Sequence, residues 1–194
     1  MNKKVYTKTG DQGKTALISG ERLPKNSLVF EVLGTLDEFN ASLGLVLLHF
    51  ENLFAKKSDH SNLNWLQITK EKQFLLSLQN ELFKLGAEIA ASPKVKLEDD
   101  FVSKLEKQID FLQNDLGANW RYKFVLPGGS EISAFLDLSR TVCRRLERRL
   151  VSLDNERDIR QVTLQFVNRT SDYLYTLRTW VNEELKVEEV EFQV

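Results

Sequence analysis

The sequence predicts an all-α helical bundle folded as one domain, and three observations carry that expectation. A chain of 194 residues has room for one well-buried core. Its 3 prolines and 9 glycines are few for that length and cluster at segment boundaries. Between them the apolar residues recur at about 3.6 positions, with little of the alternation a strand requires.

Residues 1–25 read as an irregular arm rather than a helix. Within it Thr7-Lys8-Thr9-Gly10-Asp11-Gln12-Gly13-Lys14-Thr15 packs hydroxyls, lysines and glycines together. Such a stretch can turn several N–H groups and cations towards one polyphosphate. A glycine turn near a polar terminus accounts for it equally well. The closing Gly-Lys-Thr resembles a Walker A loop, but position 8 is lysine where that motif needs glycine. No helix follows either, since Gly20 and Pro24 interrupt the next ten residues.

A first helix is expected from Asn26 or Ser27 to about Phe54, with Val29, Val32, Leu36, Phe39, Leu43, Val46 and Phe50 on its core face. Gly34 and Gly44 inside it each cost about 1 kcal/mol relative to alanine, and so suggest close approach of another helix or a ligand. Asp37, between them, is expected to pair with a surface lysine or with an arginine of the helix that starts at Ser130. After a polar loop at 55–64, a second helix spans about Trp65 to Ala91, and Ser92-Pro93 ends it. A third spans about Glu98 to Leu116, closed by Gly117.

The link 118–129 carries Trp120, Tyr122 and Phe124, which suit either core plugs or the wall of a flat ligand's pocket. Gly128-Gly129 then breaks the chain, and Ser130 caps a helix reaching Ser152. Beside its apolar stripe run Arg140, Arg144, Glu147 and Arg148 on neighbouring turns. Arginine's planar fork suits phosphate oxygens better than lysine does. The last helix covers about Ile159 to Leu185, where Asn168, Ser171, Asp172 and Tyr175 form a polar line along a hydrophobic helix. The acidic tail from Glu183 to Val194 is expected to fray.

With 27 basic and 28 acidic residues, the chain lacks the positive excess of a nucleic-acid or anionic-membrane binder. Met1–Tyr6 has no apolar run of the signal-peptide kind, and no apolar stretch is long enough to span a bilayer, so a cytoplasmic protein is expected. The single Cys143 lies among apolar helix positions and reads as a buried, reduced thiol. Neither His49 nor His60 follows a glutamate by three residues, which excludes the usual di-iron pattern. Two scattered histidines and one cysteine make neither a zinc site nor a nucleophile with its base.

Taken together, YTKTGDQGKT with GERLPK, then GTLDEFN, then FVLPGG and SRTVCRRLERR with FVNRTSDYLY, resemble the PduO-type ATP:cob(I)alamin adenosyltransferases. The likeness runs from Val5 to about Val181. It implies a ferritin-like five-helix bundle assembled as a homotrimer, with active sites between adjacent subunits. It further implies that Thr7, Lys8, Thr9, Gly10 and Thr15 wrap the ATP triphosphate and that Lys25 adds a phosphate contact. Arg144, Glu147, Arg148 and Asn168 match nucleotide-site residues, while Asp37 and Arg140 match a pair that bridges subunits. Phe124 matches an aromatic that crowds the lower face of the corrin and displaces the lower axial ligand of cobalt.

Phe39 and Thr170 depart from the family pattern, which usually has leucine at both. The resemblance implies MgATP and cob(I)alamin or cob(II)alamin as reactants. A flavoprotein reductase and a mutase that uses adenosylcobalamin are the expected partners. A carrier that binds and delivers adenosylcobalamin without making it is the alternative.

Overall fold

The computed structural model describes residue 6, residues 8–117 and residues 124–193. Among them five α-helices carry the fold: α1 (Leu28–Ala55), α2 (Trp65–Ile89), α3 (Phe101–Leu116), α4 (Glu131–Asp154) and α5 (Gln161–Glu184). A short 3-10 turn at Lys57–His60 lies between α1 and α2. Helix α4 packs against both α1 and α5, α2 packs against α1, and α3 against α5.

Local chemistry sets the ends. The Ser130 hydroxyl accepts the Ser133 N–H at 3.2 Å and starts α4, and Asn64 does the same for α2 through Gln67. Gly117, at a φ of 68°, closes α3. Helix α3 begins at Phe101 rather than near Glu98 because the preceding backbone is held elsewhere. The N–H of buried Leu97 donates to Glu88 Oε2 at 2.9 Å, and that of Glu98 to Glu81 Oε2 at 3.2 Å.

The stripes read from the sequence face inward. Phe39, Leu43, Val46 and Phe50 of α1 meet Cys143, Leu146 and Leu150 of α4, all fully buried. Burying each leucine contributes roughly 1.5–3 kcal/mol, which outweighs the glycine penalties inside α1. Gly34 and Gly44 meet no other helix among the described residues, since a Cβ built on either meets nothing within 4 Å. Both lie on an exposed face of the chain, and the close helical approach occurs instead at Gly86, against Leu36. Phe39 and Thr170 are wholly buried, with the Thr170 hydroxyl donating to the Phe166 carbonyl, so both belong to the core. Cys143 is buried and reduced, and burial pushes its thiol well up from the ordinary range.

Several charge-bearing groups lie inside the bundle, among them Glu71, Glu81, Asp137 and Arg178. Glu71 of α2 is fully buried, and its Oε1 accepts the side-chain amides of Gln67 and Gln108. Its Oε2 accepts the Tyr173 hydroxyl at 3.0 Å, which ties α2 to α3 and α5. Burial pushes the Glu71 carboxyl up to about 7, against the opposing pull of those donors. In the unfolded chain it ionises near ~4.3. Its contribution to stability is therefore fully present below that value and is lost as pH rises through about 7. Glu71→Gln keeps a neutral amide in the cluster. Its stability relative to the parent should rise by about 2 kcal/mol between pH 5 and pH 8. Melting temperatures measured at both values check this, and a pH-independent difference would show that Glu71 does not titrate there.

Candidate functional site

Helix α4 carries consecutive arginine pairs, and each pair splits between two duties. Arg145 and Arg149 turn towards α1, where they pair with Glu38 and Glu31, the latter at 3.0 Å. So it is Glu38 and Glu31, not Asp37, that meet arginines of α4 within the chain. One residue earlier on each turn, Arg144 and Arg148 are exposed and have no ion-pair partner among the described residues. The Arg148 guanidinium donates only to the Arg144 carbonyl, at 3.1 Å. Between them Glu147 accepts the Asn168 amide at 2.8 Å, so the α4 and α5 motifs meet directly.

Arg140 and Arg144 open into a cavity of about 510 Å³ between α3, α4 and α5. Three of the four residues in the polar line of α5, namely Ser171, Asp172 and Tyr175, line it as well. Arg169 on the same wall is already neutralised by Glu106 at 3.1 Å and Asp172 at 2.7 Å. Arg140 is drawn to Asp137 on its own helix, with Nε and Nη2 both 3.3 Å from Oδ1. That leaves Arg144 as the cation in this cavity without a carboxylate partner among the described residues, placed to meet an incoming anion.

The arm is more ordered than an irregular segment. Strands β1 (Lys14–Ala16) and β2 (Arg22–Pro24) form an antiparallel hairpin, with Thr15 opposite Leu23. Three residues per strand are too few to show a period in the sequence. The hairpin is held to the bundle by buried Leu17, by the Ile18 N–H on the Ala90 carbonyl at 3.0 Å, and by Glu21 paired with Arg157. Lys25 folds back so that a Cβ on Gly10 would lie 3.2 Å from its Nζ. Glycine thus lets the ammonium close over the loop. Arg22 clamps the Thr9 carbonyl at 2.9 Å, and Lys8 adopts a positive φ of 61°. Lys8, Thr9, Gly10, Thr15 and Lys25 therefore belong to one compact cationic loop, while Thr7 lies outside the described residues. None of the arm lines the α3–α4–α5 cavity.

Asp37 is exposed on α1 and lines a separate hollow of about 320 Å³, beside the exposed side chains of Ile18 and Phe83. It has no ion-pair partner among the described residues, and within one chain it does not meet Arg140.

Phe124 is 76% exposed, so it is not a core plug; Trp120 and Tyr122 lie outside the described residues. The tail does not fray after α5. It returns antiparallel to Phe124–Leu126, with Leu126 N–H on the Val190 carbonyl and Phe192 N–H on the Phe124 carbonyl, both at 2.8 Å. This sets Val190 and Phe192, each more than half exposed, in an apolar patch with Phe124 and Leu126. The alternation Val190-Glu191-Phe192-Gln193 is the strand signal that identifies this segment, although the acidic composition hides it.

Comparison with known proteins identifies the family. A family model described as cobalamin adenosyltransferase matches residues 5–181. A corrinoid adenosyltransferase of Bacillus subtilis is 37% identical over 98% of this chain and 92% of its own length. The corrinoid adenosyltransferase PduO of Salmonella typhimurium is 37% identical over 89% of this chain, which spans 48% of that longer relative. Among solved structures, a variant PduO-type ATP:corrinoid adenosyltransferase from Lactobacillus reuteri, complexed with cobalamin and ATP, superposes with a TM-score of 0.82. It is 28% identical, with 98% of this chain and 100% of that chain covered.

Proposed function

The chain belongs to the cobalamin adenosyltransferase family, and from that premise we propose how its residues transfer the 5′-deoxyadenosyl group of ATP to the cobalt of cob(I)alamin. The observation that carries the site is Arg144. It is an arginine without a carboxylate partner among the described residues, at a cavity mouth, beside the Glu147–Asn168 bridge.

Cob(I)alamin is a substrate and a strong nucleophile. Its cobalt electron pair attacks C5′, the C5′–O5′ bond breaks, and that electron pair leaves with triphosphate. No proton need move, which fits a site rich in cations and poor in acid–base pairs. The residues of this chain act on the leaving group. Arg144 and Arg148 gather the negative charge that grows on the phosphates, and the Lys8–Thr15 loop with Lys25 wraps the same chain of phosphates. Glu147 and Asn168 orient each other and hold the nucleoside end. Phe124 and the tail form an apolar rest for the corrin, where Phe124 excludes the lower axial ligand. Among the described residues no group of three metal-ligating side chains converges. Magnesium would enter as MgATP, with phosphate oxygens among its ligands.

The arm and the arginine cavity are separate surfaces of one chain, and Asp37 lacks a partner there. A homotrimer supplies both needs, with the arm of one subunit facing the seam of the next and Asp37 meeting Arg140 across the contact. Light scattering should return three copies per particle. Among the described residues no helix is long and apolar enough to cross a membrane, and we place the protein in the cytoplasm, with a flavoprotein reductase upstream and a mutase downstream.

The direct test mixes the protein with ATP, Mg²⁺ and chemically reduced cobalamin. Adenosylcobalamin and one equivalent of triphosphate should appear together. Binding without triphosphate release would mark a carrier instead, and neither binding nor product would sink the reading.

A further inference from the structure

A buried guanidinium joins the C-terminal tail to the arginine seam. Arg178 of α5 is 1% exposed. Its Nε lies 3.3 Å from Asp137 Oδ2 and its Nη1 lies 2.8 Å from Glu189 Oε1. Its Nη2 donates to the Gly128 carbonyl at 3.1 Å. Neither carboxylate contact is aligned as a hydrogen bond, so charge holds them. Asn182 closes the cluster: its Oδ1 accepts the Ser130 N–H at 3.0 Å, and its Nδ2 donates to Glu189 Oε1 at 3.0 Å. At Gly129, with φ 98°, any side chain would collide with the Asn182 amide. The Asp137 carboxylate is shared. Oδ2 faces Arg178 and accepts the Gly128 N–H at 3.3 Å, while Oδ1 holds Arg140.

We propose that Arg178 is a positioning residue for the transfer reaction, coupling the Phe124 loop and the tail to Arg140 at the nucleotide seam. This rests on the adenosyltransferase reading. Its planar fork reaches three acceptors in different directions, which a lysine ammonium on its flexible stem does not. Without it, buried Asp137 keeps Arg140 as its only cation and draws that side chain away from the cavity. At the same time Glu189 loses its partner and Gly128 its anchor, so the loop and the tail loosen together.

The test uses full-length Arg178→Met, Arg178→Lys and Glu189→Gln beside the parent protein. Hydrogen exchange on the unliganded protein should speed up in residues 124–130 and 187–193 together in Arg178→Met, with α1 and α2 unchanged. In turnover, Arg178→Met should raise KM for the corrinoid and lower kcat, each by about tenfold. Glu189→Gln should raise that KM without lowering kcat, because it releases the tail and spares Asp137. Arg178→Lys should restore the melting temperature but not the KM. The inference is overturned if the two segments exchange independently. A lower melting temperature with unchanged KM, or lysine restoring both properties, overturns it too. A parent protein that makes no adenosylcobalamin refutes the adenosyltransferase reading instead, and the exchange pattern then decides the coupling alone.

Discussion

Arg144→Ala should lower adenosyl transfer about a thousandfold and leave thermal unfolding where it is. The side chain is exposed and forms no ion pair among the described residues, so its removal leaves no buried group without a partner. In the proposed reaction, what disappears is a charge-assisted donor to an oxygen whose charge grows as C5′–O5′ breaks. Such donors act on the transition state more than on bound substrate, so the loss should fall on kcat rather than on KM for ATP. Arg145→Ala supplies the contrast. That guanidinium pairs with Glu38 across the α1–α4 contact, so its loss should cost stability and little catalysis. Steady-state kinetics and melting curves on both variants separate the two roles. Equal effects would mean that the partition of the arginine pairs carries no functional meaning.

Phe124→Ala should divide the reaction by oxidation state. Starting from chemically reduced cob(I)alamin, transfer should remain within a fewfold of the parent. Starting from cob(II)alamin with a reductant, it should fall by about a hundredfold. In the role proposed for Phe124, crowding under the corrin disfavours the lower axial ligand, and losing that ligand makes the metal easier to reduce; once the metal is reduced the aromatic would have no further task. ATP affinity should not change, since Phe124 belongs to the tail patch and not to the arginine cavity. With 76% of it exposed, truncation also costs little folding energy. The absorption spectrum of bound cob(II)alamin reads the coordination number directly, and a four-coordinate spectrum in the alanine variant would contradict the role given to Phe124.

The helices were legible because their information is local. Ser130, Asn64 and Gly117 mark ends through contacts within one turn, and the 3.6-residue stripes decide which face is buried. Asn168 and Glu147 each sit in a recognisable run on their own helix, but nothing in the sequence pairs them with each other. The missing information was long-range. Nothing near Arg144 or Arg145 says which one meets α1, because consecutive positions differ by about 100° around the helix and the outcome depends on where Glu38 lies. The tail was misjudged for the same reason. Its acidic residues suggest solvent, yet Glu189 neutralises a buried arginine and the backbone at Glu191 bridges to Val125. Gly34 and Gly44 lie on an exposed face, and the close approach within the chain falls at Gly86, whose neighbour Leu36 is fifty residues away.

The bridge between Val125 and Glu191 has a consequence for biogenesis. Residues 124–126 leave the ribosome well before the tail segment that completes their hydrogen bonding, and two entire helices must be translated in the interval. The segment carrying Phe124 is thus the last to gain its partner, after the hairpin and all five helices have been made. In the proposed reaction, the surface offered to the corrin is completed after those offered to the phosphates.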